Sequence, residues 1–201
     1  MARPPRPERK TELLEQILEF LLDKTLADLT FRSLADGLGI SSYVLVYHFG
    51  NREQLVSEII RGIESRFDDQ HPGTTSMSLD EIVLWARAVF DRSLESRGRH
   101  LQRLEFEAAV QDVVAERPRG NSAAGYLMWC RFLAGWLETQ GIPADEATVR
   151  GRTYVAAATG IMYDYVVTGD RPAVRASFEM LIEAFVLQHT TNQTTAIDGR
   201  P

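Results

Sequence analysis

Between Ile40 and Gly50 the chain reads Ser41-Ser42-Tyr43-Val44-Leu45-Val46-Tyr47-His48-Phe49. At helical spacing Ser42, Tyr43, Val46 and Tyr47 share one face, and that face carries hydroxyls and apolar groups. Such groups meet DNA phosphates through O–H and thymine methyls through apolar surface. His48 and Arg52, toward the far end of the stretch, carry N–H donors of the kind that hold phosphates; a histidine packed at a helix end accounts for His48 equally well. Other chemistries are poorly served. His48, His71, His100 and His189 are scattered, with no Cys, Asp or Glu at metal-ligand spacing. There is no phosphate-cradling Gly loop and no nucleophile elbow, and Cys130 has no evident base. Glu105 and Glu107 fall on different sides of a helix and read as solvated surface. No catalytic residue, metal site or cofactor is expected.

These residues need elements to aim them. Thr30 is an N-cap, and Leu34, Ala35 and Leu38 follow at helical spacing. Gly39 turns left-handed and stops that helix, Ile40 plugs the corner, and Ser41 or Ser42 caps a second helix whose Leu45 and Phe49 face inward. Ala35 and Gly39 are small where the two helices cross. This is the helix-turn-helix layout, with a second helix offered to the major groove. An amphipathic helix from Arg9 to about Lys24 backs the pair, and a helix from Arg52 to about Phe67 follows it.

The stretch from Ile17 to Leu55 resembles the tetracycline-repressor (TetR) family. The residues that carry the resemblance are Ile17-Leu18, Phe20, Thr30, Leu34-Ala35, Gly39-Ile40-Ser41, Leu45, His48-Phe49 and Arg52. It departs at Tyr43, where the family usually has Gly, and at Val46, where it has a phosphate-contacting Tyr; Tyr47 stands next door. The resemblance implies an all-α protein with a three-helix DNA-binding head and a helical body that binds a small molecule and dimerises. It implies a ligand-responsive repressor that leaves its palindromic operator when an apolar or aromatic effector binds. The DNA-facing set is then Thr30, Ser33, Ser41, Ser42, Tyr43, Tyr47, His48 and Arg52, with Thr30 on phosphate at a helix N-terminus. Trp85 and Val89, then Met128, Trp129 and Phe132, then Thr159, Met162 and Tyr163 come from three helices that the family arranges around its effector. The same Trp and Met stripes at helical spacing also suit a plain core. A helical protein-interaction module, a small-molecule-binding protein without DNA binding, and an enzyme are the alternatives.

Composition sets the bounds. The chain has 201 residues, 44% of them hydrophobic, and a formal net charge of −6. Residues 1–66 carry 9 Lys+Arg against 10 Asp+Glu, so most of the acidity lies beyond them. DNA binding needs a local basic surface rather than a basic protein. No apolar run approaches the roughly 18 residues of a membrane span, and MARPPRPERK lacks the apolar stretch of a secretory signal. With one cysteine, these features lead us to expect a cytoplasmic protein.

Residues 1–8 read as a flexible basic arm, 9–66 as the DNA-binding domain, 67–189 as the ligand-binding and dimerisation domain, and 190–201 as a flexible tail. The body reads as five helices over about Leu79–Arg97, Arg99–Ala115, Ser122–Thr139, Ala144–Thr168 and Pro172–His189. Thr153–Val167 is apolar nearly all round, and Phe178, Leu181, Ile182 and Phe185 line the last helix. One core cannot easily absorb both, so these two helices are expected to form a four-helix bundle with a second copy.

Overall fold

In the computed structural model, residues 7–68, 76–114 and 121–198 are described, and their regular elements are all helical. In chain order these are α1 (Pro7–Phe20), a 3-10 turn (Leu21–Asp23), α2 (Phe31–Leu38), α3 (Ser42–Phe49), α4 (Arg52–Asp68), α5 (Leu79–Ser93), α6 (Ser96–Val114), α7 (Asn121–Thr139), α8 (Ala144–Thr168) and α9 (Arg171–Asp198). Of the basic arm, only Pro7 and Glu8 fall within the described residues, and both belong to α1.

The chain forms two compact units that do not follow chain order. Residues 1–71 and 96–126 make the first, and residues 72–95 and 127–201 make the second. The sequence boundary near residue 66 thus assigns α6 to the body, whereas α6 packs with the head. The reason is apolar: Leu101, Leu104 and Ala108 of α6 are buried in one cluster with Leu13, Ile17 and Leu18 of α1, Leu34, Leu45 and Phe49 of α2 and α3, and Leu55, Ile59 and Ile63 of α4. Removing these side chains from water is the main force assembling the unit.

The corner follows the expected plan with one change of reason. Thr30 caps α2, Gly39 turns left-handed at φ 64°, and Ser41, not Ser42, caps α3. Gly39 is required for that φ and not for a close crossing, because a Cβ there would meet nothing within 4 Å. Gly37 is tight: a Cβ there would stand 2.1 Å from the Phe20 ring.

In the second unit α5, α7 beyond Tyr126, α8 and α9 bury Ile82, Phe90, Trp136, Met162, Tyr165, Phe178, Ile182 and Phe185. Phe90 and Phe178 stack at 3.8 Å, and Trp136 Nε1 donates to Met77 O at 2.8 Å. Gly151 of α8 lies against α7: a Cβ there would be 2.9 Å from Ala134 N and 3.1 Å from Cys130 O. Cys130 is buried, as expected of a lone thiol on an apolar helix. Two boundaries differ from expectation. Helix α5 ends at Ser93 and not near Arg97, with Leu94 buried at the break. Helix α9 continues to Asp198, past His189, because no Gly or Pro interrupts it before Gly199.

Candidate nucleic-acid interface

Capping sets the geometry of the corner. Thr30 Oγ1 accepts the Ser33 N–H at 3.0 Å, and Ser33 Oγ accepts the Thr30 N–H at 3.0 Å. This reciprocal cap fixes the start of α2, and the amides of a helix's first turn, which have no acceptor within the helix, favour anions. The Thr30 and Ser33 hydroxyls are therefore occupied within the cap, while Thr30 itself stays exposed. Arg32, in the same first turn, is exposed as well; nothing in the residue types around it singles it out. Ser41 Oγ accepts the Tyr43 N–H at 3.2 Å and so starts α3.

Helix α3 presents an aromatic and apolar outer face. Ser42 is exposed, and Tyr43, Val46 and Tyr47 are 75%, 46% and 45% exposed. The Tyr43 and Tyr47 rings stack at 6.5 Å along successive turns, and His48 meets Tyr47 edge-on at 5.1 Å. His48 is half-buried and also lies 6.3 Å from the Phe49 ring, so packing already accounts for part of its position. Leu45 and Phe49 are buried on the opposite face. The division into an inner and an outer face is the one expected from spacing.

Arg52 is turned toward the protein. Its Nε donates to Leu29 O at 3.0 Å and its Nη2 to Leu26 O at 2.6 Å. The guanidinium ties the α1–α2 connection to the start of α4, a role that spacing could not reveal.

Of the expected effector residues, Trp85, Trp129 and Phe132 come together, with ring centroids 5.2–6.3 Å apart. Met162 is buried, and Val89, Met128 and Thr159 are half-buried. Thr159 Oγ1 donates to Val155 O of its own helix at 2.8 Å. Tyr163 stands apart from the interior, 58% exposed. The inward tyrosine of α8 is Tyr165, 3% exposed, whose hydroxyl donates to Leu94 O at 2.7 Å. A groove of about 630 Å³ lies elsewhere, between α8 and α9, lined by Val149, Arg150, Tyr154, Ala157, Leu181 and Leu187 among others; it includes none of the eight expected residues. Among the described residues no group of three or more His, Cys, Asp or Glu is placed to hold a metal. No described helix is long and apolar enough to cross a membrane.

No protein-family model matches the chain. Over 54 residues, 27% of this chain and 27% of the relative, it is 41% identical to the HTH-type transcriptional repressor KstR2 of Mycobacterium tuberculosis. The KstR2 of Rhodococcus jostii is likewise 41% identical over 54 residues, 26% of its length. The match thus spans about a quarter of these relatives. Solved structures match nearly end to end. A TetR transcriptional regulator from Legionella pneumophila aligns at TM-score 0.66 and 15% identity, covering 91% of this chain and 99% of its own. A TetR-family regulator from Agrobacterium tumefaciens aligns at TM-score 0.66 and 15% identity, covering 89% and 98%. The repressor AlkX from Dietzia sp. aligns at TM-score 0.51 and 16% identity, covering 94% and 98%.

Proposed function

We propose that the chain, which has the fold of TetR-family regulators, is a sequence-specific DNA-binding repressor. The outer face of α3 carries the reading. Tyr43, Val46 and Tyr47 form an exposed apolar and aromatic strip with Ser42 at its start, on a helix whose inner face is fixed in the core. Such a strip suits thymine methyls and phosphates in the major groove. The α2 N-terminus, with Thr30 and exposed Arg32, supplies a backbone-phosphate contact alongside. KstR2 is described as a transcriptional repressor.

The protein acts as a homodimer through α8 and α9. Val149, Tyr163 and Val167 of α8 and Met180 and Leu187 of α9 are 58–71% exposed, an apolar surface of the kind that marks an interface. Gly160, on α8, has open space where a side chain would stand and so admits a second backbone. A two-fold dimer binds a palindrome whose half-sites lie about 34–36 Å apart or a multiple of that. An apolar effector, taken up around Trp85, Trp129 and Phe132, weakens that binding through its preference for one conformation. AlkX, a TetR-family repressor, is described as implicated in biodegradation of n-alkanes, and it supports an apolar guest by analogy of fold only.

The test is a mobility shift with a labelled duplex from upstream of the chain's own coding sequence. Wild type is expected to retard it, and Tyr43→Ala to lose preference for that duplex over an unrelated one while folding normally. A wild type that discriminates between no two duplexes sinks the DNA reading.

A further inference from the structure

The connection between α1 and α2, residues 21–29, is irregular beyond its 3-10 turn and satisfies only some of its backbone groups itself, through Lys24 N–H to Leu21 O at 3.2 Å, Leu29 N–H to Leu26 O at 3.3 Å and Asp28 N–H to Thr25 Oγ1 at 3.3 Å. Three side chains from other helices add the further bonds. On α6, Arg103 Nη2 donates to Leu21 O at 2.9 Å and to Lys24 O at 2.8 Å. Arg103 Nη1 pairs with Glu107 Oε1 one turn along the same helix. Glu107 Oε2 accepts the Leu26 N–H at 2.6 Å. On α4, Arg52 takes Leu26 O and Leu29 O. Leu26 is thus gripped at both its N–H and its C=O, and its side chain is fully buried. Glu107 is accordingly not the solvated surface acid that its spacing suggested. Arginine suits this work because one planar fork reaches two acceptors at once, which an ammonium does less well.

Leu29 directly precedes Thr30, the residue that caps α2. We propose that Arg103 and Glu107 are positioning residues for DNA binding: they hold the α1–α2 connection so that the N-terminus of α2, and the corner that follows, stand where the phosphate backbone needs them. The inference rests on the DNA reading given above. Neither residue touches DNA. Helix α6 contributes two kinds of contact to the head, apolar burial through Leu101, Leu104 and Ala108 and directional bonding through this clamp. Burial alone is non-directional and would leave the connection free to shift; the clamp supplies the direction.

The experiment compares wild type, Glu107→Ala, Glu107→Gln and Arg103→Ala. Two readouts are amide hydrogen exchange and titration of the fluorescent upstream duplex at several salt concentrations. Gln keeps an oxygen for the Leu26 N–H but loses the charge that pairs with Arg103; Ala loses both. Glu107→Ala is expected to speed exchange at Leu26 at least tenfold while the buried Ile59 amide in α4 keeps its rate. Duplex binding is expected to weaken at least tenfold with an unchanged salt slope, since no phosphate contact is lost. Glu107→Gln should fall between. Fast Leu26 exchange with unchanged affinity overturns the positioning role, and so does an unchanged Leu26. Equal acceleration at Leu26 and Ile59 makes Glu107 a general stabiliser and overturns it too. A salt slope lowered by about one in Arg103→Ala would put Arg103 on a phosphate, against the proposal. Wild type that binds no DNA removes the DNA reading itself, an outcome separate from all of these.

Discussion

Gly151 and Gly160 lie on the same helix and meet opposite surroundings, which makes them a matched pair for testing how α8 is packed. Replacing either by Ala gains the same helix propensity, about 1 kcal/mol. At Gly151 the new Cβ would sit 2.9 Å from Ala134 N, 3.1 Å from Cys130 O and 3.2 Å from Ala134 Cα. All three are backbone atoms of α7, so no side chain can rotate away and the two helices must move apart. Overpacking of this kind costs roughly 1–3 kcal/mol, and the backbone contacts put it at the upper end. The net loss at Gly151→Ala is then about 2 kcal/mol. For a chain of this size that is a fall in Tm of roughly 4–8 °C. At Gly160 nothing lies within 4 Å, so Gly160→Ala within one protomer gains up to about 1 kcal/mol. The difference between the two variants, about 3 kcal/mol, isolates the α7–α8 crossing because propensity cancels. Thermal unfolding of both at several protein concentrations measures it. Any loss at Gly160 must come from a second copy and will fade on dilution, as wild type itself dissociates. Gly151→Ala with a Tm at or above wild type would refute the crossing.

Arg52→Lys and Arg52→Ala should both lower stability, by roughly 1–3 kcal/mol in denaturant titration, because an ammonium cannot reach both carbonyls that the guanidinium holds. If Arg52 instead serves phosphate alone, Lys will restore DNA binding and neither change will move the denaturation midpoint. Desolvation holds the His189 imidazole below its ordinary pKa, against the hydrogen bond to Phe185 O and with Arg150 pushing the same way as burial. The unfolded chain therefore takes up a proton below about pH 6.5 that the folded one refuses until lower pH. Stability should fall as pH drops below 6.5, and His189→Gln should flatten that fall between pH 7 and 5.5. Met180→Glu, at an exposed apolar position of α9, should leave monomers in sedimentation at micromolar concentration; an unaltered dimer would move the interface elsewhere.

The α2–α3 corner was legible in the sequence because every signal there is local. Thr30, Gly39 and Ser41 act through their own backbone neighbours, and Leu45 and Phe49 declare an inner face by spacing alone. The same holds for α8, whose ends at Ala144 and Thr168 follow Pro143 and precede the left-handed Gly169. What spacing could not show is long-range. Nothing in Leu101, Leu104 and Ala108 says that they pack on α1 and α4 rather than on α5, since an apolar stripe names no partner. Arg52 and Glu107 bond to backbone groups 23 or more residues away, and a backbone acceptor leaves no trace in the residue types around it. Tyr163 and Tyr165 are two positions apart in a stretch that is apolar nearly all round, so spacing offers no asymmetry by which to choose the inward one.

The late arrival of α6 in the chain bears on how the head is made. Residues 7–68 leave the ribosome as four helices whose shared core still lacks Leu101, Leu104 and Ala108. At roughly 5–20 residues per second, the wait for the end of α6 at Val114 lasts on the order of two to nine seconds. Through that interval the apolar seat on α1 and α4 lies open and the Leu26 N–H has no acceptor from Glu107. A fragment cut at Asp68 would be fixed in this half-built state. It should therefore precipitate or bind chaperones where the full-length chain does not.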